Sequence, residues 1–273
     1  DWNSGFSTIK DNEYLEPKYD IKEIAGIVNL DYKKPYDARE IILRLVDDSS
    51  FIEFKPRYGV TTLCFQANIN GNSCGIIANN GPIDTDGATK SAQFFQLCDK
   101  SDLPIIFLNN VTGFMVGKKY EQAGMIKHGS KMIQAVTNIT VPKISLYIGA
   151  SFGAGNYGMC GYAYNPDFLL SWPNAVTGVM GGQQAASTMA QVMVAAAKKR
   201  GDNFDQEQID QKQKDISDHF DNQSSAFYTS GRLLDMGIID PRETRKVLAF
   251  LLQTCKESKA RKLKSNTFGI ARM

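Results

Sequence analysis

VPKISLYIGASFGAGNYGMCG, residues 141–161, is the segment that is most informative about the architecture of the chain. Its first half is an apolar run of strand length, and a glycine-rich turn follows directly. A strand without polar alternation is expected to be buried on both faces of a sheet, which is typical of parallel strands joined by helical crossovers. The stretch therefore predicts an α/β protein in which one central strand ends at a glycine-rich turn.

The flanking sequence repeats this alternation of strand and helix. Apolar runs of strand length are separated by segments whose apolar residues recur at helical spacing. The predicted elements are strands at 104–110, 142–150, 167–172 and 176–179, helices at 86–100 and 118–138, a helix that begins after Gly181 and Gly182, and mostly helical structure from Asp205 onward.

The first part of the chain is predicted to hold a helix and a hairpin. PYDAREIILRLVDDSS predicts a helix of roughly three turns, capped by Asp37. TTLCFQANI and SCGIIANNG predict a β-hairpin whose tight turn is the Asn-Gly-Asn of residues 70–72. Residues 1–35 are interpreted as a linker or N-terminal extension with one docking strand at 24–30, and the domain proper is expected to span residues 36–273.

Composition excludes several classes of partner and site. The formal net charge is +2, and the charges are interspersed, so neither a nucleic acid nor a membrane surface is expected as a partner. Five cysteines without CxxC spacing predict neither a zinc site nor a disulfide framework and indicate a reducing compartment. There is no apolar run long enough to span a membrane. The opening residues lack an initiator Met and a signal pattern, so the chain is expected to be a piece of a longer protein.

Three glycine-rich loops are the strongest candidates for a functional site. They are GFMVG at 113–117, GASFGAGNYG at 149–158 and MGGQQAAS at 180–187. Each is predicted to join a strand to a helix, where unpaired backbone N–H groups and the helix dipole can hold a negatively charged oxygen. We therefore expect a site that stabilises negative charge with backbone amides.

Side-chain chemistry is less well supported by the sequence. The two histidines, His128 and His219, are not near a glycine-flanked nucleophile, and Ser151 lacks the GxSxG setting. The chain has no phosphate-binding loop, and acidic residues such as Asp84 and Asp86 are interpreted as turn formers, so no metal is expected. Enolate chemistry on a thioester fits a site built from backbone amides in an apolar cleft.

Four motifs carry a resemblance to a known family: IIFLNNVTGFMVG, the stretch at 141–161, WPNAVTGVMGGQQAA and the terminal FGIARM. In this order and spacing they resemble the carboxyltransferase β-subunits of biotin-dependent acyl-CoA carboxylases, from about Tyr36 to Met273. The form GAGNYGMCG is similar to the methylcrotonyl-CoA and geranyl-CoA branch. The resemblance implies a crotonase-like (ClpP/crotonase) α/β fold of repeated ββα units with a largely helical C-terminal part.

The same resemblance implies an enzyme of the ligase class, with this chain as the C-terminal of two domains. The carboxyl group would move from carboxybiotin to an acyl-CoA, 3-methylcrotonyl-CoA in this branch. The chain alone is expected to be inactive, because the oxyanion hole for the thioester enolate belongs to the N-terminal domain. Catalysis is assigned to the backbone amides of Ala154 and Gly155, which would hold the ureido oxygen of biotin. The further implied site residues are Gly113, Phe114, Met115, Val116 and Gly153 around biotin, Tyr157 for acyl selectivity, and Gly181 and Gly182 as possible ligand contacts.

The resemblance also implies partners and a compartment. The family expectation is a hexameric homo-oligomeric core that works with a biotin carboxylase or a biotin carrier subunit, so that biotin arrives on a partner. The location would be the cytoplasm of a bacterium or the mitochondrial matrix of a eukaryote. The alternatives are a propionyl-CoA or acetyl-CoA carboxyltransferase, a biotin-linked decarboxylase subunit, a non-catalytic crotonase-like assembly module, and a hydratase or ClpP-like peptidase.

Overall fold

The computed structural model describes residues 14–200 and 206–262. Within them the centre of the molecule is a single sheet in which the strands lie in the order β1-β2-β3-β4-β5-β6, with β7 paired to the far end of β5. The strands are β1 Phe51–Glu53, β2 Thr62–Ile69, β3 Asn72–Asn79, β4 Ile105–Val111, β5 Lys143–Phe152, β6 Phe168–Ser171 and β7 Val176–Gly178.

Strand direction follows the sequence pattern. β1, β2 and β3 pair antiparallel, and the pairs β3–β4, β4–β5, β5–β6 and β5–β7 are parallel. β5 is central, and nine of its ten residues are buried. The predicted parallel sheet that is covered on both faces is confirmed.

The hairpin between β2 and β3 has the tight turn that the sequence predicts. Ile69 pairs with Asn72, which leaves Asn70 and Gly71 as the two turn residues. Both have positive φ, at 46° and 71°. Asn-Gly is the preferred pair for such a turn, because its backbone twist matches that of the flanking strands.

Helices cover both faces of the sheet and bury two large hydrophobic cores, beside a smaller cluster that contains Tyr147. Alternate residues of one strand enter different cores: Ile106 and Leu108 of β4 pack under the N- and C-terminal helices, and Phe107 packs under the helices between β3 and β5. From Gly182 onward the described chain is mostly helical, as expected. The α-helices are α1 Ile24–Ile27, α2 Ala38–Ile42, α3 Thr85–Lys100, α4 Lys118–Gln122, α5 Met125–Asn138, α6 Gly153–Gly158, α7 Gly182–Arg200, α8 Gln206–Ser224, α9 Ala226–Gly231 and α10 Thr244–Ala260. No helix among the described residues is long and apolar enough to cross a membrane.

The prediction of a docking strand at 24–30 is wrong, because Ile24–Ile27 form helix α1 after a 3₁₀ turn. Ile21, Ile24 and Ile27 recur at helical spacing, and the side chain of Asp20 caps the turn by accepting from the backbone N–H of Lys22. Ile24 is buried in the same core as β2, and Ile21 and Ile27 pack against it. This part of the predicted extension therefore packs on the domain.

Two predicted helices are shorter than expected. Asp37 caps α2 as predicted, but the helix ends at Ile42 rather than after three turns. The helix predicted at 118–138 is divided into α4 and α5 at Gly124, whose φ of 85° is left-handed. The FGIARM motif and residues 1–13 lie outside the described residues.

Candidate functional site

The glycine-rich turn that follows β5 is the start of helix α6. Gly153, its first residue, has a left-handed φ of 49°, and a Cβ atom there would lie 2.9 Å from the carbonyl oxygen of Val179. Ala154 and Gly155 occupy the next two positions, where backbone N–H groups have no acceptor within the helix. Phe152, which precedes the helix, provides no side-chain cap.

The loop at 113–117 packs against one face of α6. A Cβ atom on Gly155 would lie 2.9 Å from the Cα atom of Gly113, so only glycine fits at this contact. One turn further along α6, the position of a Cβ atom on Gly158 is 3.1 Å from the Phe114 ring. The structure thus brings together the predicted residues Gly113 and Gly155.

The rest of the loop is held by a pairing with Ile83. The N–H of Ile83 donates to the carbonyl of Gly113 at 3.0 Å, and the N–H of Met115 donates to the carbonyl of Ile83 at 2.8 Å. Phe114 packs into the core beside α5, whereas Val116 is 80% exposed. Of the four loop residues predicted to surround biotin, Val116 is the most available to a ligand.

The other face of α6 opens into a cleft of about 660 Å³. Ala154 and Tyr157 are exposed on this face, and the ring of Tyr157 packs edge-on against Tyr164 at 5.8 Å. Helices α8 and α9 form the opposite wall. The cleft is lined by Tyr147, Gly153, Ala154, Asn156, Tyr157, Tyr162, Thr177, Gly178, Val179, Met180, Phe220, Gln223, Ser224, Tyr228, Thr229 and Leu234.

Gly181 and Gly182, the third glycine motif, lie at the start of α7 and have different surroundings. The backbone N–H of Gly182 donates to the carboxylate of Asp221 at 3.2 Å, so this amide already has an acceptor on α8. A Cβ atom on Gly181 would lie 2.5 Å from the hydroxyl of Tyr32. Neither residue lines the cleft at α6.

A buried polar network beneath the cleft escaped the sequence analysis. Ser151, at the end of β5, donates to the Oδ1 of Asn109 at 3.1 Å and accepts from the Nδ2 of Asn156 at 2.8 Å. The Nδ2 of Asn156 also donates to the Tyr147 hydroxyl at 2.9 Å. Ser151 is therefore a hydrogen-bonded core residue and not a nucleophile. The signal in the sequence is the Asn109-Asn110 pair just before the end of β4, because polar residues near the carboxyl ends of neighbouring parallel strands lie close together.

Burial sets the chemistry of the other titratable groups near the sheet. Burial raises the pKa of Tyr147, although donors from Asn156 and Tyr162 partly oppose the shift. It also raises the pKa of the Cys98 thiol to about 12. Among residues 14–200 and 206–262, no group of three or more His, Cys, Asp or Glu side chains is placed to hold a metal ion.

Comparison with known proteins gives consistent matches. The sequence-family model of the carboxyl transferase domain matches residues 6–270 of this chain. The methylcrotonoyl-CoA carboxylase beta chain of Dictyostelium discoideum is 48% identical over 96% of this chain and 44% of its own length. The biotin-dependent 3-methylcrotonyl-coenzyme A carboxylase beta1 subunit of Mycobacterium tuberculosis is 44% identical over 88% of this chain and 46% of its own length.

Solved structures match over nearly the whole chain. The beta subunit of geranyl-CoA carboxylase from P. aeruginosa has a TM-score of 0.89 at 45% identity, over 99% of this chain and 51% of the other. The transcarboxylase 12S hexamer with hydrolysed methylmalonyl-coenzyme A has a TM-score of 0.79 at 28% identity. The match covers 96% of this chain and 50% of the other. These similarities confirm the expected crotonase-like α/β fold. The chain spans about half the length of the relatives that it matches.

Proposed function

Because the chain belongs to the carboxyl transferase family, we propose that it is the biotin-facing half of a carboxyltransferase that acts on an acyl-CoA. The carboxyl group would come from carboxybiotin, and the acceptor would be 3-methylcrotonyl-CoA. The observation that carries this proposal is the glycine-rich start of helix α6, which borders the open cleft. The chain is 44–48% identical to two methylcrotonyl-CoA carboxylase subunits.

The residues at α6 fit a biotin ring. The ring is compact and carries a ureido oxygen that accepts hydrogen bonds, and Ala154 is exposed at the edge of a cleft large enough for a small ligand. Bound carboxybiotin supplies an activated carboxyl group. We assign the backbone amides of Ala154 and Gly155 to the ureido oxygen, where they would stabilise developing negative charge. A single donor in such an oxyanion hole contributes roughly 2.7–4 kcal/mol to transition-state stabilisation.

The remaining predicted residues have secondary roles in the proposal. Tyr157 lies on the cleft-facing side of α6 and would limit the length of the acyl chain. Residues 113–117 do not line the cleft, so in this proposal the loop supports α6 through the contact between Gly113 and Gly155, and only the exposed Val116 is left to contact biotin at the start of the helix. We assign no direct ligand contact to Gly182, because its amide is bonded to Asp221.

The proposed reaction requires parts that this chain does not contain. The relatives are about twice as long, and the thioester oxyanion hole is assigned to the preceding domain of a full subunit. A hexameric core with a biotin carboxylase or biotin carrier partner is proposed, and the matched transcarboxylase 12S structure is described as a hexamer. The proposed location is the mitochondrial matrix in a eukaryote or the cytoplasm in a bacterium, and the Dictyostelium relative is named as mitochondrial.

A carboxyltransferase for another acyl-CoA is the second candidate. A putative propionyl-CoA carboxylase beta chain of Bacillus subtilis is 34% identical over 63% of this chain, which is a weaker match than those above. The geranyl-CoA carboxylase match, at 45% identity, makes a longer branched acyl group a closer competitor. The relative rates with methylcrotonyl-, geranyl- and propionyl-CoA would separate these substrates.

The test uses the full-length subunit assembled with its biotin-bearing partner. Ala154→Leu places a bulky side chain at the cleft edge, and Ala123→Leu is the matched control, because Ala123 is exposed outside the cleft. We expect the parent and the Ala123 variant to carboxylate methylcrotonyl-CoA. The Ala154 variant should lose this activity while its melting temperature stays unchanged. An assembled parent that carboxylates no acyl-CoA would overturn the enzymatic proposal and favour an assembly module.

A further inference from the structure

The hydrogen-bond network under the cleft has a fixed direction that begins at Asn109. The side-chain Nδ2 of Asn109 donates to two backbone carbonyls, that of Phe107 at 3.3 Å and that of Met159 at 3.1 Å. A carbonyl oxygen only accepts, so these contacts fix which end of the amide is NH₂. The Oδ1 of Asn109 consequently needs a donor, and Ser151 provides it at 3.1 Å.

The direction passes from Ser151 to Tyr147. Since the one hydroxyl hydrogen of Ser151 goes to Asn109, its oxygen must accept from Asn156, which therefore presents Nδ2. The second hydrogen of that Nδ2 goes to the Tyr147 hydroxyl at 2.9 Å. Flipping the Asn156 amide would turn Ser151 away from Asn109 and leave a buried oxygen unpaired, at a cost of about 1–3 kcal/mol.

Tyr147 accepts a second hydrogen bond from the backbone N–H of Tyr162 at 3.1 Å. Its oxygen is then occupied as an acceptor by two donors, and its own hydrogen has no acceptor among residues 14–200 and 206–262. Tyr147 is only 2% exposed, and it is among the residues that line the cleft. Burial raises the pKa of this phenol, so the hydrogen is retained at neutral pH. Two accepted hydrogen bonds also polarise the O–H bond and make it a better donor.

We propose that the Tyr147 hydroxyl is a ligand-binding group that donates a hydrogen bond to a carbonyl-type oxygen of the molecule in the cleft. Such an oxygen is present in the ureido ring of biotin and in the thioester of acyl-CoA. The inference rests on the proposed function for the identity of these ligands. The donor itself follows from the hydrogen-bond directions, because the chain from Asn109 leaves Tyr147 no partner for its hydrogen within the described protein.

The experiment compares Tyr147→Phe with Tyr36→Phe in the full-length subunit. Tyr36 is the matched control, because its hydroxyl is buried and has no hydrogen-bond partner in the described chain. Calorimetry measures the Kd of free biotin and of methylcrotonyl-CoA separately, and steady-state assays with free biotin give the KM of each. We expect Tyr147→Phe to raise Kd and KM for one of the two ligands roughly 3- to 10-fold, the loss of one hydrogen bond. The ligand that is affected identifies the oxygen.

A second variant tests the direction of the network. Ser151 is buried away from the cleft surface, and Ser151→Ala frees the Asn156 amide to flip and accept the hydrogen of Tyr147. Ser151→Ala should therefore weaken the same ligand as Tyr147→Phe while the hydroxyl is still present. Unchanged Kd for both ligands in Tyr147→Phe, with an active parent, would overturn this inference alone. A parent that binds ligand without turnover would overturn the proposed function alone, and a parent that binds neither ligand would overturn both.

Discussion

The Cα atom of Gly113 lies 2.9 Å from the position that a Cβ atom on Gly155 would occupy. Real Cβ atoms do not approach a backbone atom so closely. The atom in the way is a backbone atom of Gly113, which cannot move aside as a flexible side chain could. The contact joins the loop after β4 to the helix after β5, so two of the three glycine motifs meet at one point. It also means that a bulky residue at Gly155 would change the fold of the site as well as any ligand contact.

Gly155→Ala is expected to lower the free energy of unfolding by about 1–3 kcal/mol, as overpacking of a core does. The added methyl group fits only if the backbone at Gly113 shifts, and the Val111 side chain, 3.1 Å away, must give as well. Chemical denaturation gives the measurement, and Ala154→Ser, on the exposed side of the same helix, is the control. Equal stability of the Gly155 variant and its parent would show that the loop is not packed as described.

Gly182→Ala should loosen the packing of α7 on α8. A Cβ atom there would lie 2.4 Å from the Asp221 carboxylate and 2.6 Å from the backbone oxygen of Ser217. The free energy of unfolding is expected to fall by about 1–3 kcal/mol. Gly26→Ala is the opposite case, since no atom lies within 4 Å of its Cβ position and its φ is not left-handed, and it should stabilise by about 0.4–1 kcal/mol. Thermal unfolding of the two variants should therefore move in opposite directions.

Lys90 on α3 is a fully buried lysine whose ammonium has no hydrogen-bond partner among the described residues. Burial lowers its pKa in the folded protein. The folded state thus binds fewer protons than the unfolded state, and this group makes stability rise with pH up to the unfolded pKa. Lys90→Met should be at least as stable as the parent at pH 7, and its advantage should shrink as the pH rises. An advantage that grows with pH between 7 and 10 would contradict the sign of the shift.

All five cysteines are free and buried, and burial raises the pKa of Cys160 to about 12 and that of Cys255 to about 11. A thiol reacts as its thiolate, so the native protein should react slowly with a disulfide reagent at pH 8. Unfolding in denaturant should release five rapidly reacting thiols. A single fast equivalent in the native protein would show that a cysteine is open to solvent.

Much of the fold was predictable because its signals are local. The apolar run of β5, the Asn70-Gly71 turn and the Asp37 cap each act within a few residues, and the structure has all three. Local pattern is misleading at residues 24–30, where a short apolar stretch in a polar segment predicts a strand although its isoleucines recur at helical spacing. It also missed the break at Gly124, because an apolar stripe does not reveal a left-handed glycine.

Local sequence pattern is enough to predict that three glycine loops follow strands of one sheet, and from it we predict that backbone amides in these loops stabilise negative charge. How those loops pack depends on tertiary contacts, because these contacts join residues that are far apart in the chain. Gly113 supports Gly155 from the face opposite the cleft, and Asp221 occupies the amide of Gly182. The direction of the network from Asn109 to Tyr147 likewise depends on two backbone carbonyls, and their positions are set only when β4, β5 and α6 have packed together.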